Sequence, residues 1–142
     1  MTTPNLVAEV GQELCTNKLI KKLSFTGSTR VGKLLVQQCA ESLKKLGLEL
    51  GGNSPFIVFD DAKIETAVDA CILAKLRNSG QTCVTANRIM VQKGIYDEFA
   101  DALTKRIKEL KVGKGTEEGV FIGPLTHERA VDKAMNHING KT

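Results

Sequence analysis

The chain has 142 residues, 42% hydrophobic and 25% charged, with 20 Lys and Arg against 16 Asp and Glu for a net charge of +4. This make-up is that of a folded globular chain and excludes a disordered tail. The basic residues form no dense run, aromatics are only 4% and Trp is absent, which argues against a nucleic-acid stacking platform, and no apolar run approaches the ~20 residues that cross a bilayer.

In chain order, Leu6, Val10 and Leu14 recur at helical spacing and predict a first helix ending near Asn17. Lys18 to Phe25 reads as a strand, and Thr26 to Thr29 as a Gly and Ser turn. Val31, Leu34, Leu35, Cys39 and Leu43 then form a helical stripe. Leu46 to Leu50 is a second strand, interrupted by Gly51 and Gly52, and Pro55 to Phe59 a third. Ile64, Val68, Cys71, Ile72 and Leu76 mark a helix face that Asn78, Ser79 and Gly80 terminate as a C-terminal cap. Arg88 to Gln92 reads as a strand, and Ile95, Phe99, Leu103, Ile107 and Leu110 as a helix. After a polar turn from Gly113 to Gly119, a last helix is expected with Thr126 as N-cap and Val131, Met135 and Ile138 inward. Strands alternating with helices predict an α/β fold with mainly parallel pairing.

The four cysteines, Cys15, Cys39, Cys71 and Cys83, show no CxxC spacing and lie far in sequence from His127 and His137. No metal site is expected from them. They read as reduced thiols of an intracellular chain, with Cys15, Cys39 and Cys71 as small core residues. The amino terminus has neither a basic nor an apolar leader region, so the sequence predicts no secretory signal.

Three segments carry chemistry. Gly27-Ser28-Thr29-Arg30-Val31-Gly32-Lys33 stands between a strand and a helix, where bare main-chain amides can cradle phosphate. Its spacing matches the P-loop pattern up to Leu34, which replaces the hydroxyl residue that would hold magnesium. In Leu48-Glu49-Leu50-Gly51-Gly52, a carboxylate enclosed by an apolar strand end would become a tunable general base, beside glycines that admit a ligand. Cys83 follows Gly80 in a polar loop with Arg77 as the nearby cation, a setting for a thiolate nucleophile. The bland alternatives are a turn with two glycines, a rim glutamate and a bystander thiol.

Together FTGSTRVG at 25–32, LELGGNSP at 48–55 and GQTC at 80–83 resemble the aldehyde dehydrogenase superfamily, most closely its succinate-semialdehyde branch. The resemblance implies the end of a Rossmann-type cofactor domain over residues 1–48 and the start of an α/β catalytic domain over 49–142. It also implies oxidation of an aldehyde, succinate semialdehyde to succinate in GABA degradation, with NAD or NADP as hydride acceptor. Cys83 would form a thiohemiacetal and then a thioester, and Glu49 would activate the hydrolytic water. Gly27, Ser28 and Gly32 would serve the cofactor phosphates, Leu50 and Gly51 would border the nicotinamide, and the Cys83 N–H would form half of an oxyanion hole. Arg77 would grip the distal carboxylate of the substrate.

Thr85 departs from the branch, in which several members carry a second cysteine at that position. The resemblance covers only the middle of the family's subunit, which forms homo-oligomers, and leaves out an upstream lysine and asparagine and a downstream glutamate. Losing one oxyanion donor alone costs about 10²–10³ in rate, so little or no turnover is expected of these residues alone. The alternative expectation is an inactive fragment with a structural or subunit-interaction role. The implied setting is the cytoplasm, with mitochondria as the alternative.

Overall fold

The computed structural model of the chain describes residues 6–140, which form two compact units dividing between Gly51 and Gly52. In the first, helix α1 (Val7–Thr16) precedes strand β1 (Lys22–Thr26), helix α2 (Thr29–Cys39) and strand β2 (Lys45–Glu49). The strands pair in parallel from Lys22↔Lys45 to Thr26↔Glu49, with α2 as the crossover that parallel pairing requires. This ladder keeps Glu49 with the first unit, one residue past the expected boundary at 48.

Cys15 from α1 and Leu35 and Cys39 from α2 form the core of this unit, with Leu23, Phe25, Val31 and Leu46 packed on it. Leu34 and Leu43, which share that helical stripe in sequence, are exposed. Gly32, Leu35 and Cys39 set the buried face of α2, and Leu34 lies about 100° round the helix from Leu35. Leu43 falls after the helix, in a left-handed turn with φ 48°. Residues 18–21 lie outside the strand, and Lys18 and Leu19 form a turn in which Asn17 Oδ1 accepts from the Leu19 N–H at 2.9 Å. Lys44, almost wholly buried, closes this region: its Nζ donates to the carbonyls of Asn17 at 2.6 Å and Ile20 at 2.8 Å.

The second unit repeats the strand, helix, strand plan. Strand β3 (Ser54–Val58) pairs in parallel with β4 (Ala86–Val91) across helix α3 (Ile64–Leu76), and helix α4 (Tyr96–Lys108) packs against α3. Val58, Val68, Cys71, Ile72 and Phe99 form its core, as the helical stripes of α3 and α4 predict. On either side of the expected polar turn from Gly113 to Gly119, two short strands, β5 (Lys111–Val112) and β6 (Val120–Ile122), also pair in parallel. They are too short to leave a pattern in sequence.

Helix α5 (Glu128–Ile138) is capped by His127, not Thr126: the His127 Nδ1 accepts from the Ala130 N–H at 3.1 Å. The Thr126 N–H is directed instead to Gln81 Oε1 at 2.9 Å. Val131, Met135 and Ile138, expected inward, are exposed. Periodicity marks the apolar face of a helix without saying what that face meets. No helix among the described residues is long and apolar enough to cross a membrane.

Candidate active site

The first two motifs meet within the first unit. The N–H of Gly27 donates to the Glu49 carbonyl at 3.0 Å, extending the β1–β2 ladder into the turn that leads to α2. Ser28 is the N-cap, its Oγ accepting from the Val31 N–H at 3.3 Å, so its hydroxyl proton remains to be donated elsewhere. The main-chain amides of Thr29 and Arg30 have no intrahelical acceptor at this end of the helix. With Arg30 and Lys33 adding positive charge, these groups suit the phosphates of a dinucleotide.

Gly32 is buried, and a Cβ there would stand 2.7 Å from Leu50 Cδ2. The bare Cα thus admits Leu50 against α2 and holds the Leu50–Gly51 backbone near the turn, since a Cβ on Gly51 would be 3.9 Å from Thr29 Oγ1. Glu49 is exposed. The enclosure expected from its leucine neighbours is not found, because strand alternation turns the Leu48 and Glu49 side chains to opposite faces.

The third motif lies in the second unit. Of the four cysteines only Cys83 is exposed. Cys15, Cys39 and Cys71 are core residues; burial and a hydrogen bond with Cys39 push the Cys15 thiol up to about 11, and burial raises that of Cys71. Such thiols are inert at neutral pH. Cys83 stands in a turn closed by the Thr85 N–H donating to the Thr82 carbonyl at 3.2 Å. Its own N–H makes no hydrogen bond among the described residues.

The turn before it departs from a simple helix cap. Helix α3 stops at Leu76, the Arg77 backbone is extended, and Asn78, Ser79 and Gly80 follow with φ of 55°, 56° and 74°. Three successive left-handed residues are a strained arrangement that needs support. Ser79 Oγ donates to the Gly123 carbonyl at 2.9 Å, and Gln81 bridges to Thr126 and to the Asn78 carbonyl. Sequence reasoning missed these ties, and only the Asn-Ser-Gly run hinted at the turn.

Arg77, Thr82 and Val84 share a cavity of about 270 Å³ with Leu73 and Ala74 of α3. Arg77 and the two residues flanking Cys83 therefore line one space, while Cys83 itself is not among its lining residues. Gly52 and Asn53 complete the setting: Asn87 Nδ2 donates to the Gly52 carbonyl at 3.0 Å and Arg88 to that of Asn53 at 2.9 Å. A Cβ on Gly52 would lie 2.7 Å from the Cys83 carbonyl oxygen. The LELGGNSP segment thus serves the first motif through residues up to Gly51 and the third from Gly52 onward.

Residues 3–142 match the aldehyde dehydrogenase family. Over 130 residues the chain is 57% identical to a probable NADP(+) succinate-semialdehyde dehydrogenase of Sinorhizobium fredii, covering 92% of this chain and 26% of that protein. It is 56% identical to a glutarate-semialdehyde dehydrogenase of Pseudomonas putida, covering 92% and 27%. The crystal structure of succinate-semialdehyde dehydrogenase from Burkholderia pseudomallei matches with a TM-score of 0.91 at 52% identity, covering 98% and 28%. The chain spans about a quarter of the length of these relatives. Motifs, fold and similarity agree, and the chain belongs to the aldehyde dehydrogenase family.

Proposed function

We propose that the chain carries the catalytic segment of an aldehyde dehydrogenase acting on a short aldehyde with an anionic far end, succinate semialdehyde foremost. The observation that carries this reading is the cavity shared by Arg77 and the residues flanking the exposed thiol of Cys83. A planar guanidinium pairs a carboxylate bidentately, and both relatives named for a semialdehyde act on substrates of that class.

In this reading the Cys83 thiolate attacks the aldehyde carbon to give a thiohemiacetal, whose oxyanion the Cys83 N–H stabilises. NAD or NADP, when bound at the α2 end of the first unit, supplies the hydride acceptor. Loss of hydride leaves a thioester on Cys83. Glu49 takes a proton from water, the hydroxide adds to the thioester carbon, and the acid leaves as the thiolate is restored. Gly27 and Ser28 would face the cofactor phosphates, and Leu50 and Gly51 the nicotinamide.

The test is protection of Cys83 from iodoacetamide, mapped by mass spectrometry. Succinate semialdehyde should protect Cys83 more than butanal does, and Arg77→Met should remove the difference. Equal protection by the two aldehydes, or uniform labelling of all four thiols, would refute the reading. A second reading, a purely structural or subunit-interaction role, draws on the exposed Ile57 and Met90, paired on one face of the β3–β4 sheet. Parallel sheets are ordinarily covered on both faces. Nicotinamide reduction by the purified chain with succinate semialdehyde would dispose of that second reading.

A further inference from the structure

We infer that Thr85 is a positioning residue for Cys83, its buried hydroxyl locking the turn on which the thiol stands. The inference rests on the reading of Cys83 as the nucleophile. Thr85 is 3% exposed, and its Oγ1 lies 3.2 Å from the Gly80 carbonyl oxygen and 2.5 Å from Thr82 Oγ1. A carbonyl only accepts, so the single Thr85 proton goes to Gly80 and the Thr82 hydroxyl must donate to Thr85. The result is a directed chain, Thr82 to Thr85 to Gly80, that spans the base of the turn holding Cys83 and Val84.

The Gly80 end explains why such a lock is needed. Gly80 is the last of the three left-handed residues, and strained backbone persists only where its surroundings over-determine it. Ser79 and Gln81 hold the turn from the 123–126 side. Thr85 holds it from beyond Cys83 in the chain, where a side chain of the same shape without a hydroxyl would take this partner from both the Gly80 carbonyl and the Thr82 hydroxyl. Ser79 and Gln81 hold the entry to the loop, and Thr85 fixes the short arc from Thr82 through Val84.

The test compares wild type, Thr85→Val and Thr85→Ser by the rate of Cys83 alkylation with iodoacetamide across a pH series, the buried thiols serving as internal controls. Thr85→Val, nearly isosteric, should change the Cys83 rate about threefold or more and displace its pH profile. Thr85→Ser should restore the wild-type profile. A wild-type profile in the valine variant overturns the inference and leaves the nucleophile reading standing. Equal disturbance in valine and serine variants also overturns it, because packing rather than the hydroxyl would then be responsible. If Thr85→Val does not fold, Thr85→Ala replaces it, and failure of both assigns Thr85 a merely structural role. If wild-type Cys83 reacts as it does in the urea-unfolded chain, the nucleophile reading itself fails and this inference with it.

Discussion

Replacing Gly52 with Ala sets two effects of opposite sign against each other. Gly52 is not among the left-handed glycines, so Ala would suffer no backbone strain there, and the reduced freedom of the unfolded chain would ordinarily stabilise the protein by about 0.4–1 kcal/mol. Against this, the new Cβ would stand 2.7 Å from the Cys83 carbonyl oxygen. That oxygen is main chain, and the Gly52–Asn53 segment is itself held by Asn87 and Arg88, so backbone must shift by a few tenths of an ångström. Overpacking of this kind costs about 1–3 kcal/mol. The steric effect wins, giving a net loss of about 1–2 kcal/mol and, for a unit of this size, a fall in Tm of roughly 4–8 °C per kcal/mol. The control is Gly11→Ala in α1, where a Cβ meets nothing within 4 Å and a gain of about 0.5–1 kcal/mol is expected. Thermal and urea melts of both variants decide the matter. If Gly52→Ala is as stable as wild type while Gly11→Ala is stabilised, the close packing of Gly52 on the Cys83 loop is refuted.

Three further outcomes follow from the first unit. Lys44→Ala should lose about 2 kcal/mol in urea denaturation, because two charge-assisted bonds to the Asn17 and Ile20 carbonyls disappear from a nearly buried site; Lys44→Arg matching Lys44→Ala would show that the fit of the ammonium is decisive. Ser28→Ala should cost about 0.5–2 kcal/mol through loss of the cap on the Val31 N–H, and Ser28→Asp should retain most of it. The folded Cys15 thiol titrates at about 11, above its ordinary 9.0, because it is buried and hydrogen-bonded with Cys39. Its contribution to stability is therefore full below pH 9 and lost as pH rises through about 11. Cys15→Ala should flatten that alkaline decline in a pH series of urea melts, and an unchanged decline would refute the assignment.

Local pattern made much of this protein legible. The parallel strand, helix, strand alternation follows from short β-rich runs between amphipathic helices, and the stripes Val68, Cys71, Ile72 and Phe99 mark the second core correctly. The turn before α2 and Cys83 in a loop beyond α3 are also visible, because turns and breakers act over a few residues. The orientation of an apolar face was not. Leu34, Leu43 and the Val131, Met135 and Ile138 stripe sit outside the core, since periodicity is a property of one helix and burial a property of what packs on it. Nor was the support of the Cys83 turn: Ser79 reaches Gly123 and Gln81 reaches Thr126 across more than forty residues of sequence. In sequence Thr85 is a departure from a family pattern, and only the fold sets its buried hydroxyl between Thr82 and Gly80. Residue order set the elements and the candidate reactive side chains. Hydrogen bonds and packing between distant segments, which no local period encodes, set where those side chains stand and how firmly they are held.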